Sequence, residues 1–216
     1  MKIISHRGNG VSNYKANTKE AILTALNTNY IDGVEFDVRI TKDKKIVIIH
    51  DFIIDFVSNG SGFVKNMKYK KLLKYNFGTL DNPSKISLLD EVLPLINNNK
   101  IILIEIKEET DNYEIVDIVY KIISKYNLNI YIASFNYNLI KYFKTKYNKC
   151  GLIIGLGLNT KKLYNHFDFN IVSYNYRNRI DKKETFLWTI NEFKDDISKY
   201  NIITDKPYLF KKINKK

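Results

Sequence analysis

Cysteine is all but absent: Cys150 is the only one in 216 residues. A lone thiol excludes an internal disulfide and fits a reducing compartment. No histidine or acid lies near Cys150 in sequence, so it reads as a small buried side chain rather than a nucleophile. Long apolar runs are missing too; none approaches the ~18 residues of a membrane span. The chain starts MKIISH and enters a strand at once, without the basic and apolar regions of an export signal. The expectation is a soluble, cytoplasmic protein.

Acids are the scarcer charge, 23 Asp+Glu against 35 Lys+Arg, for a formal net charge of +12. That balance favours an anionic partner: nucleic acid, a membrane face or a phosphorylated substrate. The lysines, however, alternate with Asn, Ile and Tyr along the whole chain, a compositional texture rather than a binding stripe. The 16 tyrosines are likewise spread over helical positions and form no stacking platform. No nucleic-acid partner is expected, a membrane surface is possible but not indicated, and oligomeric state is left open. Hydrophobic content of 44% with 13% aromatic residues excludes a disordered chain.

What is present centres on residues 33–51, GVEFDVRITKDKKIVIIHD. Alternate side chains of a strand share a face, so Glu35 and Asp37 point one way and Val34, Phe36 and Val38 the other. The link between the two apolar runs is too short for a parallel crossover, so the segment is a hairpin. Pairing outward from its turn brings His50 beside Phe36, next to both acids.

Elsewhere strands and helices alternate. Strands are expected at 2–6, 33–40, 101–107, 129–135, 151–155, 169–174, 186–190 and 201–204. Helices are expected after Asn17 as N-cap, with Glu20 as its capping-box partner, at 69–75, at 87–96 under a Ser87 cap, at 111–126 and at 137–147. Eight near-continuously apolar strands separated by helices make a (β/α)8 TIM-type barrel, one domain over 1–216. The barrel is irregular at the 33–51 hairpin, whose second strand is an extra arm, and carries a short excursion at 52–86.

Such barrels build their sites from C-terminal strand ends. Those ends carry His6-Arg7, Glu35 with Asp37, His50-Asp51, and Glu105 with Lys107. Three converging carboxylates raise one another's pKa unless a counter-charge joins them. Their all-oxygen character points to one divalent cation, Mg²⁺ or Ca²⁺, held by Glu35, Asp37 and Glu105. Arg7 and Lys107 then face an anion, best a phosphate, and His6 and His50 serve as general acid and base. The whole is a phosphodiester-cleaving constellation. His166 reads as structural or exposed, Asp205 as a turn cap, and Asp51 as a partner of His50 or a cap.

The motifs resemble the glycerophosphodiester phosphodiesterases. They run in that family's order: His6-Arg7-Gly8, Asn17-Thr18, Glu35-Phe36-Asp37-Val38, Thr41-Lys42-Asp43, His50-Asp51, Glu105-Ile106-Lys107, Trp188-Thr189-Ile190-Asn191 and Thr204-Asp205-Lys206-Pro207. The resemblance implies a barrel that releases an alcohol and sn-glycerol 3-phosphate from a small glycerophosphodiester. It implies the same acid/base pair, metal ligands and phosphate clamp, adds Trp188 to the glycerol pocket, and sets Ser134-Phe135 at the mouth. Ala16 stands where the family carries Glu, Lys44 where it carries Gly, and no arginine follows His50-Asp51. Other classes remain in view. They are a sphingomyelinase D-type lyase, a metal-independent phosphatidylinositol-type phospholipase C, and an inactive basic binding protein on the same barrel.

Overall fold

Ile101–Ile106, IILIEI, is buried along its whole length, as a strand must be when a barrel interior lies on one side and helices on the other. The computed structural model describes residues 1–97, 99–155, 166–179 and 184–212. Its strands are β1 (Ile3–His6), β2 (Gly33–Ile40), β3 (Ile46–Ile48), β4 (Ile101–Ile106), β5 (Ile130–Ser134), β6 (Cys150–Ile154), β7 (Phe169–Ser173), β8 (Glu184–Trp188) and β9 (Asn201–Thr204). The order β1-β9-β8-β7-β6-β5-β4-β2, with β1 also pairing β2, closes an eight-stranded parallel barrel. The expected barrel is therefore the fold, with β3 as the antiparallel extra arm.

Two apolar layers follow from strand alternation. Ile4, Leu103, Tyr131, Ala133, Ile153, Phe169, Ile171, Phe186 and Ile203 fill the barrel. Val34, Phe36, Val38, Ile102 and Ile104 face outward onto the helices. Helix α4 (Tyr113–Ile123) buries Ile115, Val116, Val119, Ile122 and Ile123, one stripe of its surface. Each such side chain stabilises the fold by roughly 1.5–3 kcal/mol. The other helices are α1 (Lys19–Asn27), α2 (Tyr69–Leu72), α3 (Leu89–Val92) and α5 (Tyr137–Lys144). None of the described helices is long and apolar enough to cross a membrane.

The hairpin has a geometry that alternation alone does not reveal. Both β1 and β3 pair with β2, β1 through Ile4, Ser5 and His6 opposite 33–35, and β3 through Ile46–Ile48 opposite 38–40. Since β4 takes the other edge of β2, β1 runs up and β3 runs down the same edge, head to head. His6 and His50 are the residues where the two approaches end.

Several expectations shift. Thr18, not Asn17, caps α1, accepting from the Ala21 N–H at 3.3 Å. Asn17 is drawn out of the cap into a left-handed conformation, φ +63°. Glu20 makes no capping box; its Oε2 accepts from Ser84 Oγ at 2.8 Å. The 87–96 helix is only α3 followed by a 3-10 turn, because Pro94 cannot continue it. Its cap is Leu88, whose N–H Glu91 accepts at 3.1 Å, and not Ser87. The 186–190 strand is displaced two residues, to 184–188. His166 is exposed. Cys150 is fully buried, donates to the Tyr147 carbonyl, and burial pushes its thiol up to about 12, so it is inert. The 52–86 excursion forms a lobe with its own small core, in which Ile54, Val64, Met67, Leu72, Phe77 and Ile86 pack on Val47, Ile49 and Leu88.

Candidate active site

Parallel pairing of β2 with β4 sets Asp37 directly opposite Glu105. Glu35, one pleat below, completes a trio whose oxygens lie within 4.8 Å of one another, all three buried. Burial, then the neighbouring charges of Asp37 and Glu105, raise Glu35 well above the usual carboxylate range. Burial and the Asp37 charge push Glu105 up to about 7. Burial would raise Asp37 as well, but Arg7 and Lys107 outweigh it and hold that carboxyl below its ordinary value. Asp37 Oδ1 and Glu105 Oε1 are buried without a hydrogen-bond partner. An all-oxygen set with orphaned lone pairs and mutual repulsion fits a hard divalent cation.

Two cations reach the trio from opposite sides. Arg7 Nε lies 3.0 Å from Asp37 Oδ2. Lys107 Nζ lies 2.6 Å from Glu105 Oε1 and 3.5 Å from Asp37 Oδ1. These are ion pairs at angles that make no hydrogen bond for Arg7 Nε or Glu105 Oε1. Arg7 sits at φ +57°, a strained position for a side chain. Its backbone N–H donates to the Glu35 carbonyl at 2.7 Å. The next residue must be glycine: Gly8 has φ +78°, and a Cβ there would meet the Ala21 backbone at 2.6 Å.

Each histidine is braced from behind. His6 turns Nε2 toward Glu35, 3.8 Å away, while its Nδ1 lies 2.7 Å from Asp205 Oδ1. Asp205 is itself held by the side-chain amides of Asn9 and Asn191, each at 2.8 Å. Burial would raise the Asp205 carboxyl, but these bonds, led by that from His6, drive it far below its ordinary value. His50 Nδ1 pairs with Asp51 Oδ1 at 2.5 Å, and burial lowers its pKa despite the nearby Asp37. An aspartate on Nδ1 fixes each imidazole with Nε2 free for the site.

An open cavity of about 670 Å³ begins here, lined by His50, Glu105, Lys107, Ser134 and Phe135. Trp188 stands against Phe135, edge to face at 5.6 Å, and its indole N–H is buried without an acceptor. Ser134 turns its hydroxyl to the Ile106 carbonyl, so its part in the wall is steric. A second cavity of about 700 Å³ lies across Arg39 and contains none of the three acids.

A model of the glycerophosphoryl diester phosphodiesterase family matches residues 6–201. The chain belongs to this family. The glycerophosphodiester phosphodiesterase of Caldanaerobacter subterraneus subsp. tengcongensis is 31% identical over 95% of this chain and 94% of that protein. YhdW of Bacillus subtilis is 34% identical over 68% of this chain, a stretch spanning 62% of that protein. A glycerophosphodiester phosphodiesterase of Thermotoga maritima superposes with TM-score 0.79, 28% identity, and coverage of 98% of this chain and 97% of that one. An Oleispira antarctica phosphodiesterase, solved with the product sn-glycerol-3-phosphate, superposes with TM-score 0.83 over 99% and 95% of the two chains at 19% identity, a likeness of fold. Membership makes the chain a phosphodiesterase by class.

The fold thus brings together all eight residues singled out from sequence, with Trp188 at the wall and the other seven around the acids. Three more were missed or misread. Asn17 clamps Asp37, donating to its Oδ2 at 2.8 Å and accepting its backbone N–H at 3.2 Å. Asp205 is no turn cap but the brace of His6. Arg39 donates to the His50 carbonyl at 2.7 Å and the Lys107 carbonyl at 3.0 Å, with Glu109 as its counter-charge. The signal for Asn17 was present, since asparagine is the side chain that best tolerates positive φ. Asp205 stands in the Thr204-Asp205-Lys206-Pro207 motif, which does not reveal its partner, and nothing local marks Arg39.

Proposed function

We propose that this phosphodiesterase, a single catalytic domain over 1–216, hydrolyses glycerophosphodiesters to an alcohol and sn-glycerol 3-phosphate. The observation that carries the reading is one cluster: three buried carboxylates, two cations and two braced imidazoles on adjoining strands. A divalent cation, Mg²⁺ or Ca²⁺, held by Glu35, Asp37 and Glu105 would supply the positive charge that the phosphoryl oxygens need as they become more negative. Arg7 and Lys107 fix the phosphate against that site, Arg7 through its planar fork. His6 and His50 divide the proton transfers at Nε2, one taking a proton from the entering oxygen and the other giving one to the leaving oxygen. Trp188, with an indole N–H that lacks an acceptor, supports a glycerol hydroxyl contact at the wall. The product bound by the Oleispira antarctica neighbour fits the same reading.

The test is turnover of glycerophosphocholine, glycerophosphoethanolamine and glycerophosphoglycerol, coupled to glycerol 3-phosphate detection. Turnover that stops with chelator and returns with Mg²⁺ or Ca²⁺ is the expected result. Cleavage that survives chelator would instead indicate the phospholipase C type, a persistent cyclic phosphate the lyase, and no turnover on any substrate a binding protein.

A further inference from the structure

The lobe at 52–86 lies outside the chemistry, yet it carries the most exposed aromatic residue of the described chain. Of twelve phenylalanines, seven are buried and five are exposed: Phe52, Phe56, Phe63, Phe135 and Phe193. Phe135 and Phe193 follow the C-terminal ends of β5 and β8, and the other three sit on the lobe, which leaves the barrel directly after His50 and Asp51. The exposed phenylalanines therefore gather on the mouth side. Phe56 is 80% exposed at the tip of a tight turn, where Val57 and Ser58 donate to the Ile54 carbonyl. Asp55 stiffens that turn by accepting from Ser61 Oγ and the Gly62 N–H. Phe52 and Phe63 stack on each other, ring centroids 5.9 Å apart, and line the cavity across Arg39 rather than projecting.

The same lobe is basic, with six lysines against two aspartates in 52–86. Lys65, Lys68, Lys70, Lys71 and Lys74 fall within ten residues, are all exposed, and have no ion-pair partner among the described residues. Some lysines elsewhere are paired, Lys2 with Glu184, Lys44 with Glu114, Lys144 with Asp168 and Lys146 with Asp117, but nowhere else do five unpaired ones fall within ten described residues. A convex ring on a rigid turn, rather than an aromatic lining a cleft, suits insertion into a deformable surface. A flank of unpaired lysines suits one that is negatively charged.

We infer that the 52–86 lobe docks this protein on an anionic lipid bilayer, with Phe56 entering the headgroup layer and Lys65–Lys74 facing the lipid phosphates. The inference does not depend on which diester is cleaved. Its test is co-sedimentation of the full chain with vesicles of phosphatidylcholine alone and of phosphatidylcholine mixed with phosphatidylglycerol. Binding is expected for the mixed vesicles only, weakening as salt rises. Phe56→Ser should lower the partition coefficient about tenfold, and Lys70→Glu with Lys71→Glu by more than about tenfold. Both variants should keep the parent melting temperature and the parent rate on a water-soluble substrate. No binding to mixed vesicles at low salt would overturn the inference, as would binding indifferent to Phe56→Ser. Binding of duplex DNA in place of vesicles would overturn it too.

Discussion

Each imidazole of the site carries an aspartate at Nδ1, but the two pairs differ in kind. Asp51 is the neighbour of His50 in sequence, so that pair could be suspected from the HD motif. Asp205 reaches His6 across 199 positions, and only the closure of β9 onto β1 explains it. His6→Ala and His50→Ala should each lower kcat by about 10² to 10⁴-fold, the usual contribution of a positioned acid or base. Near-normal rates in both would remove the acid/base assignment. Asp205→Asn should lower kcat by up to about 10⁴-fold, the scale for removing the carboxylate that fixes the tautomer of a working imidazole. Because the folded Asp205 carboxyl titrates far below its ordinary value, its contribution to stability is present above about pH 4 and lost as pH falls below it. Acid melting of Asp205→Asn should therefore show a shallower decline than that of the parent.

At the scale of elements, the strands and the hairpin were legible because alternation and continuous apolar runs are local signals. Caps and turns were not, because Asn17 and Thr18 are both good capping types and only tertiary demand separates them. Asp37 requires Asn17, so Thr18 takes the cap. Asn17→Ala removes both bonds to Asp37 and adds left-handed strain, whereas Asn17→Gly removes the bonds alone. Thermal melts should place the alanine variant about 1–2 kcal/mol below the glycine variant, with both weak in activity. Lys44 is the reverse case: it stands where the family carries glycine and occupies φ +61° in the hairpin turn, a conformation glycine adopts without steric cost. Lys44→Gly should raise the melting temperature by a few degrees, since the exposed Glu114 pair it loses contributes at most about 1 kcal/mol.

For the whole molecule the costliest feature is the buried acid trio. Glu35 and Glu105 titrate above the ordinary glutamate value when no cation joins them, Glu105 at about 7. The contribution of Glu105 is therefore full below about pH 4.5 and lost as pH rises through about 7, and that of Glu35 is lost in the same direction. Chelator-treated protein should melt at a lower temperature at pH 8 than at pH 5.5. Added Mg²⁺ or Ca²⁺ should restore most at the upper end, by mass action on the folded state. A chelated melting temperature flat across that range would remove the trio as the seat of the cation.

The barrel is chemically lopsided. Its acids, its two cations and its two imidazoles all come from residues 6–107, while the strands from β5 onward contribute the aromatic pair Phe135 and Trp188 and the brace behind His6. On the proposed reading, bond breaking and the grip on glycerol are lodged in opposite arcs of one ring. The second arc can then alter its hold on the glycerol end while the first stays untouched. Grafting that arc between family members should shift KM for the glycerol end and leave the pH profile of turnover as it was.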